Sequence, residues 1–161
     1  MEACNYNPVP WLMEHLDRKH TKGKKRKTNK KRLYVDMPCA FDIETSRVCV
    51  DADDNPHTIM YIWQCQLGLD ITIIGRTWDE WLNFTGAISD YLQANSGPQG
   101  DWYLCIYVHN LAHEFQYLSG VLDFGPGDVF ASKPRRVLKC DNRAIEYRCS
   151  MRHSNLSLDA W

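Results

Sequence analysis

Asp42 and Glu44 stand two residues apart in the apolar stretch MPCAFDIETSRVCV, residues 37–50. In an extended strand, residues i and i+2 point to the same face. Two carboxylates on one face each raise the cost of ionising the other. A bound cation resolves that conflict, and so does a solvent-facing edge. D-x-E alone arises by chance in roughly half of chains of this length. Its setting adds weight: apolar residues precede it and Thr45 and Ser46 follow. That pattern predicts acids near the end of an otherwise buried strand.

A second polar cluster lies in YVHNLAHEF, residues 107–115. An apolar strand ends there in His109 and Asn110 and turns into a helix that carries His113 and Glu114. Sites in open α/β sheets gather where strands end and helices begin. If this strand lies beside the first, Glu114 faces Asp42 and Glu44, and three converging carboxylates require cations. Hard ions such as Mg²⁺ or Mn²⁺ suit an all-oxygen site, and two of them can activate water and stabilise the leaving oxygen of a phosphodiester. A zinc site built on His109, His113 and Cys105 is a weaker reading. H-E-x-x-H is absent, because Tyr117 stands where the second His belongs. A structural reading has His109 and Asn110 capping the helix and His113 packing on its side. Spacing alone leaves metal-dependent phosphodiester chemistry and purely structural roles both open.

The elements that must position these residues follow from periodicity. NPVPWLMEHLDRKH predicts a short helix with Trp11, Leu12 and Leu16 on one face, to dock on the body or on a partner. Strands are expected at 34–44, in HTIMYIWQCQLG and in DITIIG, with SRVCVDADDNP as a solvated loop between the first two. Thr77 and Glu80 form a capping-box pattern. After them Trp78, Trp81, Leu82, Ile88, Tyr91 and Leu92 recur at helical spacing, which reads as core. WYLCIYV reads as a strand and NLAHEFQYLSGVL as a helix. DVFASKPRRVLKC and AIEYRCS flank DNR as a hairpin. The predicted order is β-β-β-α-β-α-β-β, a mixed sheet with helices covering it.

FDIET followed by YVHNLAHEFQYL resembles the first two exonuclease motifs of the protein-primed family B DNA polymerases of phages and linear mobile elements. NLSLDAW resembles that family's S-L-x-x-h motif. The resemblance spans roughly residues 36–161. It implies an α/β domain of the ribonuclease H-like type found in four-carboxylate (DEDD) 3′–5′ exonucleases, with a mixed sheet flanked by helices. Asp42, Glu44 and Glu114 would be catalytic metal ligands. Thr45 would touch the primer 3′ end. His109, Asn110, His113, Tyr117, Ser157 and Leu158 would hold single-stranded DNA. The third motif, with the fourth carboxylate and a water-positioning Tyr, is missing before Trp161, as is the polymerase itself. The expectation is therefore a domain incomplete at its C-terminus, one Mg²⁺ or Mn²⁺ ion or none in place of two, and weak or no hydrolysis by this chain alone.

Composition bounds the rest. A chain of 161 residues with 44% apolar residues is long enough for one domain with a real core. Seven cysteines, none in a C-x-x-C pair, read as buried thiols in a reducing compartment. No apolar run is long enough to span a bilayer. A soluble protein is expected, with no membrane partner, and the resemblance implies the cytoplasm of a bacterial host. Residues 1–32 hold ten Lys or Arg against three acids, a formal +7; residues 33–161 hold nine against seventeen, a formal −8. The organisation read from this is a basic arm over 1–33, suited to phosphate contact, and an acidic exonuclease-like domain over 34–161. The partners implied are single-stranded DNA or a primer 3′ end, with the terminal protein or a host protein complex beside it. The alternative is a non-enzymatic phage or mobile-element protein that reuses the fold to bind or inhibit a host protein or nucleoprotein complex.

Overall fold

A computed structural model describes residues 1–16, 31–50 and 56–151, with the side chains of 47–50, 56 and 57 excepted. The architecture is α/β: a mixed eight-stranded sheet flanked by helices. After a 3₁₀ turn at Ala3–Asn5 come α1 (Val9–His15), β1 (Arg32–Tyr34), β2 (Cys39–Val50), β3 (Pro56–Leu67) and β4 (Ile71–Gly75). Then follow α2 (Trp78–Ala94), β5 (Asp101–Val108), α3 (Leu111–Leu118), β6 (Val129–Ala131), β7 (Val137–Asn142) and β8 (Ile145–Cys149). The sheet order is β4-β3-β2-β5-β8-β7-β6, with β1 also paired to β5. β2, β5 and β8 run parallel, while β2-β3-β4 and β8-β7-β6 are antiparallel meanders.

Several strand boundaries differ from the sequence reading, for local reasons. The strand expected over 34–44 is two strands laid end to end along β5, Tyr34 beside Tyr103 and Cys39 beside Ile106. Pro38, which has no N–H to donate, sits at the break, and its carbonyl accepts from the Gly68 N–H at 2.9 Å. β2 then runs on to Val50, paired to β3 as far as Pro56. Asp42 and Glu44 are therefore mid-strand and not near its end. Residues 46–50 and Pro56 are strand rather than loop; residues 51–55, with the loop acids, lie outside the described residues. The segment 128–140 holds two strands, because a tight turn at 132–136 folds β6 back on β7.

α2 begins as its sequence demands. Thr77 Oγ1 accepts from the Glu80 N–H at 3.2 Å, and the Glu80 carboxylate accepts from the Thr77 N–H at 3.0 Å. The helix buries Trp81, Phe84, Ile88 and Leu92 against one face of the sheet. Full burial of each such side chain is worth roughly 1.5–3 kcal/mol. Trp81 meets Phe41 of β2 (ring centroids 4.3 Å), Trp63 of β3 (4.9 Å) and Tyr147 of β8 (6.5 Å). Gly75 makes room for this cluster, since a Cβ there would lie 2.2 Å from the Trp63 ring. α1 packs on α2 with Trp11 and Leu12 buried, and α3 packs on β7 and β8. Cys39, Cys65, Cys140 and Cys149 are buried thiols; burial pushes Cys39 and Cys140 up to about 12. Among the described residues, no helix is long and apolar enough to cross a membrane.

Because side chains alternate along a strand, Ala40, Asp42, Gln64, Gln66, Tyr107, Lys139, Glu146 and Arg148 point to the face opposite α2. This second face carries the polar chemistry of the molecule.

Candidate metal and nucleic-acid site

Asp42 is half-buried on β2 and accepts a long hydrogen bond, 3.4 Å, from the Gln64 amide on the neighbouring strand. Glu44, two residues on, is exposed. A register shift follows at once, between Glu44 and Thr45. Thr45 is half-buried just beyond it. The parallel pairing of β2 with β5 ends at Phe41 beside Val108, so the end of β5 and the start of α3 lie next to Asp42.

The turn from β5 into α3 passes through Asn110, which adopts a left-handed conformation (φ 57°, ψ 50°) that Asn tolerates better than most residues. Asn110 is exposed and its side chain makes no capping bond, so the expected helix cap is not formed. The turn brings Glu114 inward, 4% exposed. Its Oε2 is buried and has no hydrogen-bond partner. Burial above all pushes the Glu114 carboxyl up to about 7; a backbone N–H bond opposes this, and the Asp42 charge adds to it. Asp42 and Glu114 therefore lie in electrostatic reach of each other.

Beside Asp42 opens a cavity of about 560 Å³ lined by Ala40, Asp42, Gln64, Leu69, Tyr107, His109 and Ser150, among others. His109 Nδ1 lies 3.4 Å from Ser150 Oγ. His113 points outward and meets Tyr117 edge-on, with ring centroids 5.5 Å apart. Ser157 and Leu158 lie outside the described residues. Asp42 and His109 line the same cavity, and Glu114 lies buried within electrostatic range of Asp42. Glu44 and His113 are exposed. The zinc reading gains no support: His109 turns to Ser150, His113 to Tyr117, and no three His, Cys, Asp or Glu side chains close on one point among the described residues.

No protein-family model, curated protein or solved structure matches this chain. The site must be read from its own chemistry. Two carboxylates offer only oxygen, and one of them holds a buried oxygen without a donor. That donor set fits a hard divalent ion, since Mg²⁺ is held by one or two carboxylates and completes its shell with water and substrate phosphate. The fit is to a pair of protein ligands and not to the three expected.

Two groups at this site carry no signal in sequence spacing. Gln64 faces Asp42 only through the β2–β3 register, and Ser150 reaches His109 only because β8 ends beside β5. A third, Glu146, is fully buried on the same face. It accepts from Arg32 at 2.5 Å, from Tyr34 at 2.8 Å and from Arg148, and lies 3.2 Å from Lys139. Within AIEYRCS it reads as an ordinary strand residue.

Proposed function

We propose that this chain is a nucleic-acid-binding domain of the 3′–5′ exonuclease-like type, of the kind belonging to protein-primed DNA polymerases, in which Asp42 and Glu114 hold Mg²⁺ or Mn²⁺. The observation that carries the reading is the buried Oε2 of Glu114, which has no hydrogen-bond partner and lies within electrostatic range of Asp42. The sheet supports it as well. Three antiparallel strands in sequence, then a helix, then two parallel strands added at the other side of the first, agree with a ribonuclease H-like core. A bound ion would neutralise phosphate charge and lower the pKa of a coordinated water. The chain's own residues supply the rest: Gln64 orients Asp42, Glu114 offers its free oxygen, and His109 and Tyr107 line the adjoining cavity.

A second reading rests on the exposure of Glu44. With two ligands rather than three, the site would bind nucleic acid and metal without hydrolysis, or serve a host-directed binding role.

Calorimetric titration of Mn²⁺ and Mg²⁺ into the wild type, E114Q and D42N tests the proposal. Binding by the wild type, weakened at least tenfold in both variants, is the expected result. Absence of binding, or equal binding by all three, overturns it. Incubation with a 3′-labelled oligonucleotide separates the two readings: release of mononucleotides supports the exonuclease, and binding without release supports the module.

A further inference from the structure

The strand registers set up a row of side chains across the face opposite α2. Phe130 of β6 pairs with Lys139 of β7, Lys139 with Arg148 of β8, Arg148 with Tyr107 of β5, and Tyr107 with Ala40 of β2. Directly paired residues share a face. The row therefore reads aromatic, cation, cation, aromatic, and ends on Tyr107 and Ala40, which line the cavity of Asp42. It is open to solvent: Phe130 is 61% exposed, and the side chains of Lys139 and Arg148 are 33% and 38% exposed.

We infer that this row is a track for a single-stranded nucleic acid leading to the Asp42–Glu114 site, an inference that rests on the function proposed above and adds the path of the ligand. Charge favours this occupant. Glu146 and Asp141 are buried, and three half-exposed cations, Arg32, Lys139 and Arg148, surround them. The outward balance is one positive charge on a body that is otherwise acidic. At the far end the exposed turn between β6 and β7 adds Lys133, Arg135 and Arg136. No ion pair among the described residues holds any of the three. Aromatic faces on which bases stack, set beside cations that meet phosphates, are what a strand of any base sequence needs. From β6 to β2 the sheet spans about 19 Å at ~4.8 Å per strand, room for roughly four nucleotides, the lower end of single-strand sites.

The test uses the full chain, a fluorescein-labelled sixteen-residue oligothymidylate, EDTA and a salt series. F130A/R135S/R136S is expected to weaken binding at least tenfold. The slope of log affinity against log salt should become shallower by about 1.4, from two lost charges at ~0.7 each. A crosslinked 5-iodouracil oligonucleotide should mark peptides holding Phe130 or Tyr107. Unchanged affinity and slope would assign binding to residues 1–32 and overturn the track, as would no oligonucleotide binding by the wild type. Displacement of the oligonucleotide by polyglutamate with no crosslink on these peptides would give the face to an acidic protein, and overturn it too. The triple variant should keep its Mn²⁺ binding. Failure of the track and failure of the metal site are thus read in separate experiments.

Discussion

Glu114 and Glu146 are both withdrawn from water, 4% and 0% exposed, yet their surroundings are opposite in kind. Glu146 is enclosed by donors: Arg32, Arg148, Lys139 and the Tyr34 hydroxyl. Burial works to raise its pKa, but the hydrogen bonds from Tyr34 and Arg148 and the charges of Arg148 and Lys139 overcome it and hold the carboxyl below its ordinary range. At Glu114 burial outweighs one opposing backbone N–H bond, the Asp42 charge adds to it, and the carboxyl is pushed up to about 7. A buried charge that the chain itself balances is part of the architecture. A buried carboxyl that the chain leaves unbalanced either keeps its proton or takes a partner from outside. Burial alone does not tell these cases apart; the partner list does.

The largest expected effect breaks the structural side of this contrast. Glu146→Ala leaves Arg32, Lys139 and Arg148 crowded on one another and removes the clasp between β1 and the β7–β8 hairpin. Losing one partner of a buried ionic cluster costs roughly 3–5 kcal/mol; the half-exposed guanidinium groups reduce this to about 2–3 kcal/mol. Urea unfolding of both variants measures it. In the absence of divalent ions Glu114→Ala should cost less than Glu146→Ala, since the carboxylate it removes is itself strained by desolvation. An E114A loss equal to that of E146A would erase the distinction.

The next effect is a difference in sign with pH. A carboxyl raised in the folded state binds its proton more tightly there than in the unfolded chain. Stability then falls as pH rises from about 4.5 towards 7, and the loss is complete above that. For Glu114 this comes to about 2 kcal/mol between pH 5 and 7 without metal. Glu146, lowered in the folded state, contributes stability present above about 4.5 that is lost as pH falls below it. Thermal unfolding in EDTA between pH 5 and 8 should show wild-type stability declining. E114Q should stay nearly flat, and Mn²⁺ should restore the wild type at pH 8 by mass action. A wild type no more sensitive to this pH range than E114Q would place a compensating cation beside Glu114.

How much of this was legible beforehand depended on the distance along the chain over which each feature is encoded. The α2 cap and the β7–β8 pairing are local patterns, and the structure contains both; the apolar stripe of α2 holds for Trp81, Ile88 and Leu92, while Leu82 is exposed and Phe84 takes a core place. The break at Pro38, the extension of β2 to Val50 and the separate strand β6 depend on which neighbour supplies hydrogen bonds, and local periodicity is silent on that. The same limit applies to the site. Asp42 and Glu114 stand out because each sits in an apolar segment near a predicted element boundary. Glu146 and Asp141 do not, because Arg32 reaches them across 114 and 109 residues of sequence. The i, i+2 rule groups Glu44 with Asp42. The rule places both on one face but does not set how far each lies from α3, and Glu44 remains exposed.

The smallest effect sharpens the contrast from within the structural cluster. Tyr34 donates its hydroxyl to Glu146 Oε2, and its ring lies under the Arg148 guanidinium at 5.1 Å. Tyr34→Phe keeps the ring and deletes one of four donors, so Glu146 remains charged and paired. The expected cost is about 1.5 kcal/mol, the lower side of a hydrogen bond to a charged group. It should be concentrated above pH 4.5, where Glu146 is ionised, and fade as the carboxyl protonates. Because the hydroxyl touches nothing at Asp42 or Glu114, Mn²⁺ affinity should match the wild type in the same preparation. A Y34F variant that lost metal binding while unfolding at nearly the wild-type urea midpoint would mean that the two carboxylates belong to one coupled system, and the division between structural and unbalanced charge would fall.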